Sequence, residues 1–249
     1  MRDAWRLWRR DWELLTAVAG LFVFLPMLAL AMFVPDMPPP PATGDAGPGS
    51  AAMAAYQQGL TQWMLDYGGW QVAAQAVVLF GQFAIVALYV AGDQPPASKA
   101  LVAAARRYPL LLLAGLIIAV PVGAALVLAQ ALPLLMIAFF VIVFWVLART
   151  IVLAPTLLAE APVGALRAIT RSLQLTRGNT LALAAAVMTV ILAMTIATWP
   201  FEQLDAWMVV HAPNPIARAL VDAVAAMITG LGGIAIALLQ VAAYRRLRA

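Results

Sequence analysis

The sequence predicts an all-α polytopic membrane protein: six transmembrane helices in three hairpins, each hairpin preceded by a basic amphipathic surface helix. Three observations carry this reading. The 249-residue chain is 65% hydrophobic and only 10% charged, where a soluble domain carries about 25% charged residues. Its mean hydropathy is +0.94, and six apolar runs match the ~20 residues that a helix needs to cross ~30 Å of hydrocarbon. Fourteen of the 15 Lys and Arg residues lie at the amino end, in the 92–109 loop, in the 149–179 stretch or in the carboxyl tail.

The elements follow in order. Trp5, Trp8 and Trp12 recur at helical spacing with Arg2, Arg6 and Arg9 on another face, the pattern of an interfacial helix with indoles at headgroup depth. Span one, Leu14 to Val34, has a kink expected at Pro26. Its 21 residues exceed a signal-peptide core, so the Arg-rich start and Ala29-Leu30-Ala31 read as a retained span. The stretch from Pro35 to Ser50 holds six prolines and three glycines, too few apolar side chains for a core, and reads as an extended periplasmic loop. Tyr56, Trp63 and Trp70 then recur every seven residues up to Gly68-Gly69, which suits a helix lying on the outer surface.

Span two, Trp70 to Ala91, carries Gln71, Gln75, Gln82 and Tyr89 on one face. Amides are poorly tolerated against lipid, so this face is expected to turn inward or towards a partner. A basic segment from Pro95 to Pro109, with Arg106 and Arg107, leads to span three (Leu110 to Leu132) and span four (Pro133 to Leu153). The stretch 149–179 supplies a third basic helix, with Arg167, Arg171 and Arg177 on its polar side and Leu166, Ile169 and Leu173 on its apolar side. Span five runs from Leu181 to Trp199. A short outer segment, Phe201 to His211, precedes the last helix, whose apolar core is Ala223 to Ala243. Ala226, Gly230, Gly233 and Ala237 make a small-residue stripe on it, suited to close helix packing. Arg218 and Asp222, four apart, are expected to pair.

Ala100, Leu101, Ala103 and Arg106 align with Ala165, Leu166, Ala168 and Arg171. The chain therefore divides into units 1–91, 92–160 and 161–249 of a single membrane domain, the first matching only in layout. The net charge of +4 lies beside the spans and reads as topology rather than nucleic-acid binding, which puts both termini in the cytoplasm of a bacterial inner membrane.

Catalytic groups are scarce. There are no cysteines, the one histidine, His211, sits in a proline-flanked outer loop, and no residues have metal-ligand spacing. Glu202 and Asp205 share a helical face, by default a solvated one, and no span carries an acid at its centre. No enzyme, cofactor or metal is expected.

The most legible stretch leaves span four at Arg149, breaks at Pro155, passes Glu160 and the Ala165-Leu166 pair, and ends Leu175-Thr176-Arg177-Gly178-Asn179. Gly178 fits the left-handed position after a helix and Asn179 the cap of the next. With Ser172, these residues resemble the membrane domain that precedes the catalytic domain of some bacterial glycerophosphodiester phosphodiesterases, and its stand-alone relatives. The resemblance covers roughly Pro96 to Leu192. It implies a multi-spanning membrane protein and no phosphodiesterase activity, which in the fused relatives belongs to a separate soluble domain. The function expected from the residues is non-enzymatic engagement of membrane lipids or a partner membrane protein. Anionic headgroups would meet Arg106, Arg107, Arg167, Arg171 and Arg177. The alternative is a permease-like or lipid-translocating role along the span-two polar face. A membrane-embedded enzyme ranks third.

Overall fold

The computed structural model describes residues 8–41, 50–90, 96–129, 133–211 and 214–248, and every regular element among them is helical. In chain order these are α1 (Trp12–Phe33), α2 (Ala51–Val90), α3 (Ala97–Ala129), α4 (Pro133–Thr150), α5 (Leu153–Ala159), α6 (Ala165–Leu175), α7 (Thr180–His211) and α8 (Pro215–Arg248). Six segments are long and apolar enough to cross a membrane, with α4 and α5 sharing one of them. The protein is a multi-pass membrane protein.

The centre of the bundle is α2 with α8. Half of the apolar window of each is buried, against 6% for α3 and α7. Around this pair α1, α3, α5 and α6 close one core cluster, and α4 with α7 close a second against the carboxyl half of α8. Small side chains make many of the contacts, beside large buried ones such as Phe83, Leu15 and Ile234. Ala100, Ala104, Ala114, Ala148, Ala165, Ala168 and Ala237 are all buried, while Leu116, Val127, Leu128, Leu181 and Ile196 are exposed on the rim. Lipid is as apolar as leucine, so helices gain by close approach rather than by hiding large side chains.

Proline and glycine shape the helices in four places, the last three of them differently from the sequence expectation. Pro26 has no N–H to donate back along α1, and the preceding residues Gly20–Phe24 widen into a π turn that absorbs the missing bond. Gly68-Gly69 does not end a surface helix: α2 runs unbroken for 40 residues, about 60 Å at 1.5 Å per residue. Each glycine costs only about 1 kcal/mol in a helix interior, and strong helix formers stand on both sides. The amino-terminal half of α2 therefore projects past the apolar layer, fastened by the Trp63 indole, which donates to the Pro35 carbonyl at 2.9 Å. In the same way α3 continues through Pro109 and α7 through Pro200. The basic segment before span three and the outer segment after span five are thus extensions of the spans themselves. The connection around Gln130, the first seven residues with Arg2, Trp5 and Arg6, and residues 42–49 of the proline-rich loop lie outside the described residues.

Of the aligned alanines, Ala100, Ala165 and Ala168 are buried and Ala103 is exposed. Ala100, Ala104, Ala165 and Ala168 are buried in one cluster where α3 meets α6. The correspondence slips after its first member, because Ala104, not Ala103, is the buried partner on α3.

Candidate functional site

The stretch 149–180 folds into a polar joint at the end of the bundle that carries most of the basic residues. Pro155 cannot donate to the Ile151 carbonyl, and its ring crowds that residue. The helix accordingly unwinds at Ile151–Val152 and resumes as α5 with Pro155 in its first turn, where proline is tolerated. The break leaves the Arg149 carbonyl without a helical partner. The Ser172 hydroxyl donates to it at 2.8 Å, and the Thr176 hydroxyl approaches at 3.3 Å while also reaching the Ser172 carbonyl at 2.8 Å. Ser172, Thr176 and Thr156 are the fully buried polar side chains among the described residues. All three bond backbone carbonyls of this joint, Thr156 to Val152 at 2.6 Å.

Helix α6 ends at Thr176. Gly178 has φ +87°, the left-handed region open to glycine at little cost. The Arg177 amide closes on the Gln174 carbonyl and the Asn179 amide on the Thr176 carbonyl, both at 3.1 Å. The Asn179 carbonyl accepts from the Leu183 amide at 3.0 Å, opening α7. Glu160, at the end of α5, accepts from Arg171 Nε at 3.2 Å and from the Tyr244 hydroxyl at 3.3 Å. One carboxylate thus ties α5, α6 and α8 together.

The side chain of Arg149 is less well served. Its guanidinium carbon lies 5.5 Å from the centre of the Trp145 ring, and Nη1 is 3.5 Å from the Thr180 hydroxyl. Its Nε is buried with no hydrogen-bond partner among the described residues.

The five candidate headgroup contacts divide. Arg106, Arg167 and Arg177 are exposed and Arg107 is half-buried, and none of the four forms an ion pair among the described residues. Arg171 is held by Glu160 and belongs to the joint. The buried face of α6 is not its large apolar side. It consists of Ala165, Ala168 and Ser172, whereas Leu166 is 66% exposed. Small side chains suit close contact with α3, and the leucine is left for the surrounding lipid.

The span-two polar face does not form a lining. Gln71 and Gln75 are exposed on the outside of the bundle. Gln82 lies against Gly233 of α8, so close that a Cβ there would stand 3.1 Å from its amide nitrogen. Tyr89 is buried at the basic end, where its hydroxyl donates to Asp11 at 3.0 Å and its carbonyl accepts from Arg245. The four residues span about 27 Å along the helix (at 1.5 Å per residue), and the helices packed on α2 cover only its carboxyl half. Asp11 is held below the usual carboxylate range, first by its bond from Arg10 and then by that from Tyr89.

At the opposite end Arg218 does not pair with Asp222. It donates to Asp205 of α7 at 2.7 Å and to Asp36, just past α1, at 2.9 Å. Asp205 belongs to an α7 that continues as helix beyond Pro200, which brings it alongside the start of α8. A cavity of about 800 Å³ opens beside this cluster, bordered by Phe33, Asp36, Tyr67, Arg218 and Asp222. Two apolar clefts of about 480 Å³ face the rim, one between α7 and α8 and one between α1 and α2. None of these three cavities is lined by Gln75 or Gln82. Among the described residues no three His, Asp or Glu side chains are grouped to hold a metal ion.

Sequence reading singled out Arg149, Pro155, Glu160, Thr176, Gly178 and Asn179, and the fold gathers them in one joint. It missed Tyr244 and Trp145, because a tyrosine or tryptophan near a span end looks like any interfacial aromatic. No family model, characterised protein or solved structure matches the chain.

Proposed function

We propose that this chain is a non-enzymatic protein of a bacterial inner membrane, both termini cytoplasmic, that holds anionic lipid headgroups against its basic end. One observation carries the reading. Arg106, Arg167 and Arg177 project without ion pairs among the described residues, beside exposed apolar side chains such as Val102 and Leu166. A guanidinium next to an apolar flank is the chemistry of a headgroup contact: the flank sits at the acyl boundary and the fork meets phosphate bidentately. Each basic residue near an anionic surface contributes about 1 kcal/mol. Kinship with the membrane domain of glycerophosphodiester phosphodiesterases is part of the same proposal and supplies architecture alone. The exposure of Gln71 and Gln75 and the packing of Gln82 give no support to a conduit, so the permease reading ranks second.

The test is a variant with Arg106, Arg167 and Arg177 all replaced by glutamine. Purified in mild detergent and weighed with its bound lipids by native mass spectrometry, it is expected to retain fewer anionic lipids than wild type at an unchanged thermal midpoint. Equal retention would rule the reading out.

A further inference from the structure

The cleft of about 480 Å³ between α7 and α8 lies along the apolar part of both spans. It exists because Ala193 and Ala197 on α7 and Gly232 and Ala235 on α8 are too small to fill the gap between the two helices. From Ile228 to Leu239 it follows α8 for about 17 Å at 1.5 Å per residue, roughly half of a ~30 Å hydrocarbon layer. Leu239 lies about 9 Å along α8 from Arg245, so the cleft starts just beneath the basic end. Trp8 borders it there, because the residues before α1 stand at that end, where Asp11 meets Tyr89. Arg9, next in the chain, is exposed and forms no ion pair among the described residues. Three occupants compete for this space. A helix is about 10 Å across with its side chains and needs roughly 1,300 Å³ over the same length, so the cleft is too narrow to seat a span of a second copy or of a partner. Residues 1–7 of this chain carry Arg2, Asp3 and Arg6, whose charges are costly in hydrocarbon. An acyl chain is narrow and apolar, and it brings a phosphate to the level of Arg9.

We infer that the cleft between α7 and α8 holds one acyl chain of an anionic phospholipid, with Trp8 at the level of the glycerol and Arg9 at the phosphate. An indole suits that depth, since its ring is apolar and its N–H can donate to an ester oxygen. A chain lying along Gly232 and Ala235 fills space that the protein's own side chains leave open, and an open gap forfeits dispersion contacts. The inference rests on the lipid-engagement reading but assigns a defined site to residues other than Arg106, Arg167 and Arg177.

The probe is phosphatidylglycerol titrated onto delipidated full-length protein and followed by native mass spectrometry. Wild type is expected to show one saturable lipid bound about tenfold tighter than the remainder. Ala235→Leu and, from the facing helix, Ala193→Leu place bulk in the cleft, and each is expected to lose that tight component at an undiminished thermal midpoint. Arg9→Gln is expected to weaken it about fivefold, since one basic residue near an anionic surface contributes ~1 kcal/mol. The Arg106/Arg167/Arg177 glutamine variant is expected to keep the tight lipid while losing loosely held ones, so the two readings fail separately. A phosphatidylglycerol with a photoreactive group in its acyl chain tests the wild-type protein itself: the crosslinks are expected around Ala193–Ala197 and Ile228–Ala235, and crosslinks confined to other helices would overturn the site. Undiminished tight binding in both leucine variants would overturn it as well. Displacement of the lipid by millimolar glycerol phosphate, a headgroup without a chain, would overturn the acyl-chain assignment. A wild-type dimer that the leucine variants abolish would give the cleft to a second copy instead.

Discussion

At the scale of single residues, the joint depends on hydroxyls answering a carbonyl that Pro155 leaves exposed. The Arg149 carbonyl is part-buried between α4 and α6, and among the described residues Ser172 and Thr176 reach it. An unsatisfied buried acceptor costs about 1–3 kcal/mol. Ser172→Ala is therefore expected to lower stability by that amount, and Thr176→Val by a similar one, since the valine keeps the volume and removes only the donor. Thermal or denaturant unfolding in detergent checks both. Arg171→Gln should cost less, under about 1 kcal/mol, because its ion pair is part-exposed and solvent screens it. Arg177→Gln should cost nothing measurable. Its backbone amide, not its side chain, closes the end of α6, and Gly178 supplies the turn. The Asp11 carboxylate offers a pH check. Its folded pKa lies below its unfolded value, so its contribution is complete above the ordinary carboxylate range and fades as pH falls through the folded value. The penalty of Asp11→Asn is accordingly expected to be constant between pH 5 and 8 (a range well above about 3.9) and to shrink only in stronger acid.

At the scale of helices, glycine positions separate what periodicity reveals from what it hides. The stripe Ala226, Gly230, Gly233 and Ala237 was legible on α8 because small residues at helical spacing mark a packing face, and all four are buried. Yet the closest approaches involve Gly232, one position off the stripe, and Gly81 on α2. A Cβ on Gly81 would stand 2.4 Å from the Phe22 Cβ, a part of the side chain that cannot swing away. At Gly232 the obstacle is the flexible end of Met194, at 2.1 Å. Around Gly230 there is open space in a small cleft bordered by Thr16 and Phe24. Periodicity gives the face but not the partner, and only the partner tells which glycine is tight. Gly81→Ala is thus expected to lower the thermal midpoint most and Gly232→Ala less. Gly230→Ala should hold or raise it, since alanine favours a helix interior by roughly 0.5–1 kcal/mol. Unequal midpoints in that order, read in one detergent, are the outcome that supports the packing. The same limit explains the long helices. Gly68-Gly69, Pro109 and Pro200 read as ends because each weakens a helix locally, and the sequence does not display the flanking contacts that carry the helix through them.

At the scale of the whole molecule, the bundle is fastened at both ends and bare in the middle. One end holds Tyr89 with Asp11 and Arg245, and Glu160 with Arg171 and Tyr244. The other holds Arg218 with Asp205 and Asp36. Charges placed at span ends cost little, because water or headgroups reach them, whereas the apolar layer between them offers no partner but protein. This arrangement puts the basic side chains of four separated segments on one side and leaves Arg218, neutralised by two carboxylates, on the other. The orientation proposed above, with the basic end cytoplasmic, uses the tendency of unneutralised Lys and Arg to stay in the cytoplasm. Single cysteines at exposed positions test it directly. With six spans, a cysteine at Gln58, on the projecting half of α2, is expected to react with an impermeant maleimide added to intact cells. Cysteines at Ser98 and Thr170, both exposed at the basic end, are expected to react only after the membrane is opened. Labelling of Ser98 or Thr170 in intact cells, with Gln58 protected, would reverse the orientation and move the headgroup contacts to the opposite leaflet. Labelling of Gln58 and Ser98 from the same side would remove α2 as a span.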